Sequence, residues 1–297
     1  MLLKGDSQLK KALSTESNVL PALDISGFQI DDHCIGSKWK VENEERLVSL
    51  IAIVAMGQSL QAGTIIKKLL PSIPIFTFEN LKNEAIIKFK VQDKEQTPRT
   101  GYPRYQRDGL IFEIISWIAA KQVSGDNCYL KDPHTSSTSQ GLDGLMIELN
   151  EDCDEIIKST IFEDKCTEHP RPTFTQKVIP AFIARHENKR SSDIIAAAST
   201  LIKLSGVNDN QAMLMATKII DLSCRHYRAS FALTSDFDTP NAQGELFNGY
   251  DKIVNITQNQ RIGASLIVDS KLRDWFDALA SKIINYIEQL DEDVINV

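Results

Sequence analysis

The sequence predicts an α/β protein in which a mixed sheet is flanked by helices, and three segments carry that expectation. Residues 104–123 hold Leu110, Ile111, Phe112, Ile114, Ile115, Trp117, Ile118 and Ala119 in one helix-length run closed by Ser124-Gly125. That pattern is too apolar for a surface helix and suits a buried one. Residues 142–149 and 158–166 are apolar runs of strand length, and the polar stretch 150–155 between them reads as a hairpin connection. Beyond residue 190, helical stretches at 192–204 and 208–225 precede strand-like runs at 229–233, 252–256 and 264–268. An amphipathic helix over 270–290 follows, ahead of an acidic tail.

The segments before residue 104 are less regular. Residues 1–40 are mixed and polar, with Pro21 and a partly apolar run at 25–30. Residues 42–70 read as a helix: acidic residues come early, then Leu47, Leu50, Ile51, Val54 and Leu60, with lysines at 67 and 68 before Pro71. Gly57 and Gly63 weaken that pattern, and 50–55 also suits a strand. The Lys-, Thr-, Pro- and Gly-containing loop at 92–103 is the expected boundary. It divides an N-terminal region, 1–95, from a main domain, 96–297, with helical additions at both ends. Within the main domain a short strand is expected at 127–130, and the polar run from His134 to Gln140 is expected as a surface loop. After Pro170 and Pro172, Thr173-Phe-Thr-Gln176 has the form of a capping box that starts a helix, which Pro180 then kinks.

Composition narrows the class. With 42% hydrophobic and 25% charged residues, the 297-residue chain has an ordinary globular make-up. Its longest apolar run, Leu50 to Met56, is seven residues, far short of the ~20 needed to span a bilayer. The start of the chain lacks the apolar region of a secretory signal, so a soluble, cytoplasmic protein with no membrane partner is expected. Five scattered cysteines make no disulfide framework. Cys166 with His169, and Cys224 with His226, lack the Cys-x-x-Cys spacing of a structural zinc site. The net charge of −7 argues against a protein that grips nucleic acid tightly by itself, because phosphate neutralisation drives that affinity.

The chemistry concentrates at Gly141-Leu142-Asp143-Gly144 and Ile161-Phe-Glu163-Asp-Lys165. Side chains alternate along a strand, so Glu163 and Lys165 share a face, while Asp143 stands at the mouth of the preceding strand. Two carboxylates can hold a hard divalent cation, and an ammonium beside them can steady an attacking water or the charge on a phosphate. The bland alternative is a salt-bridged pair on a solvated strand face. Glu113 lies in the middle of the apolar helix, where an unpaired carboxylate is costly, so it either joins this acidic site or forms a structural ion pair. Gln176 has a capping role as well as a site role. Glu148 is expected at the surface, and His134 is a loop histidine able to donate a proton or touch phosphate. Arg171, Lys177, Arg185, Lys189 and Arg190, extended by Arg225 and Arg228, suit either a phosphate track or scattered surface charge.

Helix, strand hairpin and helix, carrying Glu113, Asp143, Glu163-x-Lys165 and Gln176 in that order, resemble the PD-(D/E)xK nuclease superfamily over about residues 104–188. Leu142 stands where that pattern has its proline. The resemblance implies a restriction-endonuclease-like core, with Glu113, Asp143 and Glu163 as ligands to Mg²⁺ or Mn²⁺. Lys165 and Gln176 complete the implied catalytic set, and DNA is the substrate. The overall layout resembles the HamA family, nuclease subunits of the Hachiman anti-phage defence system. That likeness implies a metal-dependent DNA endonuclease or nickase restrained by a helicase partner. The competing expectation is a non-catalytic scaffold with a decayed nuclease fold that docks a helicase, for which the amphipathic terminal helix offers a face.

Overall fold

The computed structural model describes residues 20–69, 77–93, 98–139, 141–189 and 191–290. Strands β1 (Leu23–Gln29) and β2 (Ile35–Val41) precede helices α1 (Glu44–Leu69), α2 (Phe78–Ile87) and α3 (Arg104–Val123). Strands β3 (Cys128–Leu130), β4 (Gly144–Leu149) and β5 (Ile156–Cys166) follow. Next come α4 (Pro170–Thr173), a π-helical turn (Phe174–Val178), α5 (Ile179–His186), α6 (Ser191–Ile202) and α7 (Asp209–Ala216). The chain continues through β6 (Arg225–Thr234), α8 (Pro240–Phe247), β7 (Arg261–Val268) and α9 (Leu272–Glu288).

The seven strands form one mixed sheet in the order β1-β2-β7-β6-β5-β4-β3. Its centre, β2-β7-β6-β5, is parallel, and antiparallel pairs close both edges. Parallel strands carry helices on both faces, and the two cores follow the side-chain alternation. Phe162, Ala232, Ala264 and Leu266 pack on one face with α1, α2, α3 and α9. Ile161, Tyr227, Ala229 and Phe231 pack on the other with the π turn and α5 to α8. Strand β6 is buried along nearly its whole length, as a strand covered on both sides must be.

Several sequence expectations change. The N-terminal region is not a helical addition alone: β1 and β2 enter the same sheet, β2 pairing in parallel with β7. The one sheet therefore draws strands from both sides of the expected boundary near residue 95. The segment 50–55 lies within α1, and α2 was not anticipated. Ile253, within the run expected as a strand at 252–256, instead follows a 3-10 turn, Tyr250–Lys252. The helix expected over 208–225 stops at Ala216 and passes into a 3-10 turn, Thr217–Ile220. Pro180 is the second residue of α5, directly after the π turn. A widened turn suits the missing N–H of proline. Pro71, Gln140, Arg190 and the acidic tail lie outside the described residues, as do the side chains of Leu60, Lys67 and Lys68. No described helix is long and apolar enough to cross a membrane.

Candidate functional site

Strands β4 and β5 build the site through their register. Gly144 pairs with Phe162, which sets Asp143, one residue before β4, opposite Glu163. Glycine is required at 144 because a Cβ there would run into the Phe162 ring. Lys165 Nζ donates to Asp143 Oδ2 at 2.7 Å and to the Asp164 carbonyl at 3.2 Å, and it lies 2.8 Å from Glu163 Oε2. Three oxygens therefore surround one ammonium. The Asp164 N–H donates to the same Asp143 oxygen at 2.9 Å, fixing that carboxylate against β5.

From the helical layer, Arg185 of α5 pairs with the other oxygen of Glu163. Its own backbone is held from beneath, where buried Arg225 donates to the Arg185 carbonyl at 2.9 Å. The four side chains, two acids and two cations, are charge-balanced. Glu163 is 9% exposed, while Asp143 and Lys165 are 22% and 25% exposed, so solvent reaches the ammonium side. Burial lowers the Lys165 pKa, but Asp143 and Glu163 outweigh it and hold the ammonium above its ordinary range. Lys165 is therefore a cation at neutral pH. Arg185, alone of the cluster, also lines a cavity of about 260 Å³, with Lys131, Gly141, Leu142, Asp193 and Ile194.

Asp164 points the other way, into the layer of α3. Ser116 Oγ donates to its Oδ1 at 2.8 Å, and Arg228 lies 3.9 Å from the same oxygen. Burial pushes its pKa up to about 7, against the pull of Arg228 and with a smaller push from Asp143. This network was not foreseen in the sequence. The available signal was alternation itself, because the residue between Glu163 and Lys165 had to enter a buried face and find partners there.

Glu113 is not joined to this cluster. It sits on α3, on the Asp164 side of the sheet, and accepts from the His134 backbone N–H at 2.7 Å, with His134 Nδ1 3.1 Å from its other oxygen. It thus anchors the loop that leads to Gly141 and Asp143. Gln176 is exposed on the π turn. The expected capping box is absent because the helix already starts at Pro170, which leaves Thr173 inside it without a capping bond. Glu148, expected at the surface, is half-buried.

The basic residues divide in the same way. Arg225 and Arg228 are buried and hydrogen-bonded inside the fold, so they form no surface track. Arg171 donates to the Leu246 carbonyl at 3.0 Å, and Lys189 pairs with Glu187 in solvent.

Among the described residues, no three or more His, Cys, Asp or Glu side chains lie together as a metal-binding group. The oxygen set that the strands do assemble is two carboxylates and a carbonyl, the donor chemistry suited to a hard cation such as Mg²⁺. In comparisons with known proteins, the chain matches no family model, no curated protein and no solved structure.

Proposed function

We propose that the chain is a Mg²⁺- or Mn²⁺-dependent DNA nuclease of the PD-(D/E)xK type, an endonuclease or nickase of an anti-phage defence system. The observation that carries this reading is the cradle of three oxygens from Asp143, Glu163 and Asp164 around the Lys165 ammonium. A cation already rests where a cation is needed. Asp143 and Glu163 are the residues that would hold the metal, with the Asp164 carbonyl beside them. A bound divalent ion supplies a Lewis acid for the phosphate and a hydroxide source near neutral pH.

The remaining roles belong to the chain itself. Lys165, held as an ammonium by Asp143 and Glu163 in the metal-free cluster, would orient the attacking water or steady the charge on the phosphate once a metal takes those carboxylates, or help deprotonate the water. Arg185 and Lys131 line the adjoining cavity together with Asp193, and the two cations offer hydrogen-bond donors to a phosphodiester there. Arg185 also keeps Glu163 oriented. Glu113 acts through the His134 loop. The net charge of −7 leaves most of the grip on duplex DNA to a partner, which fits a helicase subunit that restrains the nuclease.

The test is supercoiled plasmid incubated with the purified protein, alone and with its candidate helicase, in Mg²⁺ and in EDTA. Cleavage is expected in Mg²⁺ only and is expected to vanish in the Glu163→Ala, Lys165→Ala double variant with its circular dichroism unchanged. Metal-independent or variant-insensitive cleavage would remove these residues from the chemistry.

A second reading, a non-catalytic scaffold that docks a helicase, is favoured by the charge balance of Asp143, Lys165, Glu163 and Arg185, which needs no further ion. Calorimetry separates the two. A scaffold takes up no Mg²⁺ or Mn²⁺ at Asp143 and Glu163, whereas the nuclease does.

A further inference from the structure

Arg185 of α5 spends one nitrogen on Glu163. Among the described residues only its Nη1 donates a hydrogen bond, and the Nε and Nη2 groups, though without a partner, are not sealed from solvent. The same side chain lines the cavity of about 260 Å³. Burial divides that cavity into a floor and a rim. Leu142, Ile194 and Arg185, at 8%, 2% and 9% exposure, make the floor. Lys131 and Ala197 are half-buried and Asp193 is exposed, so these three stand at the rim. Asp193 and Ala197, one helical turn apart on α6, belong to the same wall.

The two levels suit different parts of a nucleotide. A phosphodiester meets the exposed Lys131 ammonium at the rim and need go no deeper. The floor offers it less, because Leu142 is apolar and the Arg185 charge is already matched by Glu163. A neutral base fits there, its faces against Leu142 and Ala197 and its ring-nitrogen and carbonyl acceptors toward the arginine fork. The volume is just below the ~300 Å³ at which ligand pockets usually begin, room for one base. Position adds to this. Leu142 precedes Asp143, and Arg185 touches Glu163, so a strand whose phosphate lies at the carboxylates can set its neighbouring base here. In a duplex the bases are paired and stacked, and a base fills a cavity only after leaving the stack, which costs least where the strand is already single.

We propose that this cavity takes one unpaired base of the strand to be cut, so that the substrate is single-stranded or locally opened DNA. The inference rests on the nuclease reading and gives it a substrate class. Fluorescence anisotropy with the full-length protein, in EDTA at low salt so that nothing is cut, tests it. The probes are a labelled oligothymidylate, a strand of abasic sugar-phosphates of the same length and a duplex of that length. The oligothymidylate is expected to bind about tenfold tighter than either of the others, the contribution of one base contact.

Ala197→Trp, which fills the cavity from the α6 wall, is expected to bring oligothymidylate down to the affinity of the abasic strand and to leave duplex binding unchanged. If Ala197→Trp fails to fold, photo-crosslinking of a thiothymidine strand to the wild-type protein replaces it, with the attached peptides expected to contain Leu142 or Ala197. Equal binding of the oligothymidylate and the abasic strand overturns the proposal. So does a duplex bound as tightly as the single strand, a base preference that survives Ala197→Trp, or crosslinks confined to other peptides. The two readings fail separately. A protein that selects the unpaired strand in EDTA but cuts no DNA in Mg²⁺ loses the nuclease reading alone, and one that cuts DNA without preferring bases over abasic sugar-phosphates loses the base pocket alone.

Discussion

Replacing Lys165 with methionine keeps the shape of the side chain and removes its charge, which makes it the sharpest probe of the oxygen cradle. In the intact protein the ammonium faces Asp143 at 2.7 Å and Glu163 at 2.8 Å. Each contact is worth ~6 kcal/mol of bare Coulomb attraction at an effective dielectric constant of ~20. Desolvation of the three charges and solvent access to a lysine that is 25% exposed reduce the net to about 1–2 kcal/mol. Urea unfolding in EDTA at pH 7.5 is expected to show a loss of that size.

The metal arm runs in the opposite direction. Methionine no longer competes for the cradle, so calorimetry is expected to show Mg²⁺ binding at least as tight as in the wild type. Saturating Mg²⁺ at ~100 times its Kd then restores roughly 2.7 kcal/mol of stability, while plasmid cleavage stays lost. Unchanged stability in EDTA, or Mg²⁺ binding lost together with the lysine, would refute the cradle.

Three further outcomes are expected. Asp143→Asn and Glu163→Gln should each reduce plasmid cleavage by ~10³-fold, about 4 kcal/mol of barrier, with unchanged circular dichroism; a reduction below tenfold excludes the residue as a ligand. Glu113→Gln should leave Mg²⁺ affinity intact and lower stability by about 1 kcal/mol through its bonds to His134; loss of Mg²⁺ binding in calorimetry would instead make Glu113 a ligand. Asp164 has a folded-state pKa raised to about 7 from 3.8, so between those values the native state holds a proton that the unfolded chain has released. Its contribution therefore falls as pH rises through that window, by at most ~4 kcal/mol. In EDTA, Asp164→Asn should flatten the decline in stability between pH 4.5 and pH 8; equal slopes in the two proteins would contradict the assignment.

What the sequence made legible was governed by local pattern. The two strands around Asp143 and Glu163 were marked by apolar runs bounded by turn residues, and a period of two put Glu163 and Lys165 on one face. The buried α3 was marked by its density of large apolar side chains. What stayed hidden depended on distant partners. β1 and β2 are half-exposed strands with weak alternation; β2 takes its place by pairing with β7, more than 220 residues away in sequence, and β1 by pairing with β2. Arg185 was one of several scattered basic residues until the α5 packing delivered it to Glu163. Arg225 and Arg228 looked like surface charge because burial of an arginine depends on acceptors from other segments, here the Ile219 and Arg185 carbonyls and Ser116. Glu113 was foreseen as needing a partner. That partner proved to be His134, since α3 lies on the face of β5 opposite Glu163.

Anomalous diffraction from crystals soaked in Mn²⁺ is the most direct measurement of the cation cradle. A peak bonded to Asp143 and Glu163, with Lys165 Nζ moved off those oxygens, is the expected result. A metal-free cluster with the ammonium still held between the two carboxylates at saturating Mn²⁺ would contradict it.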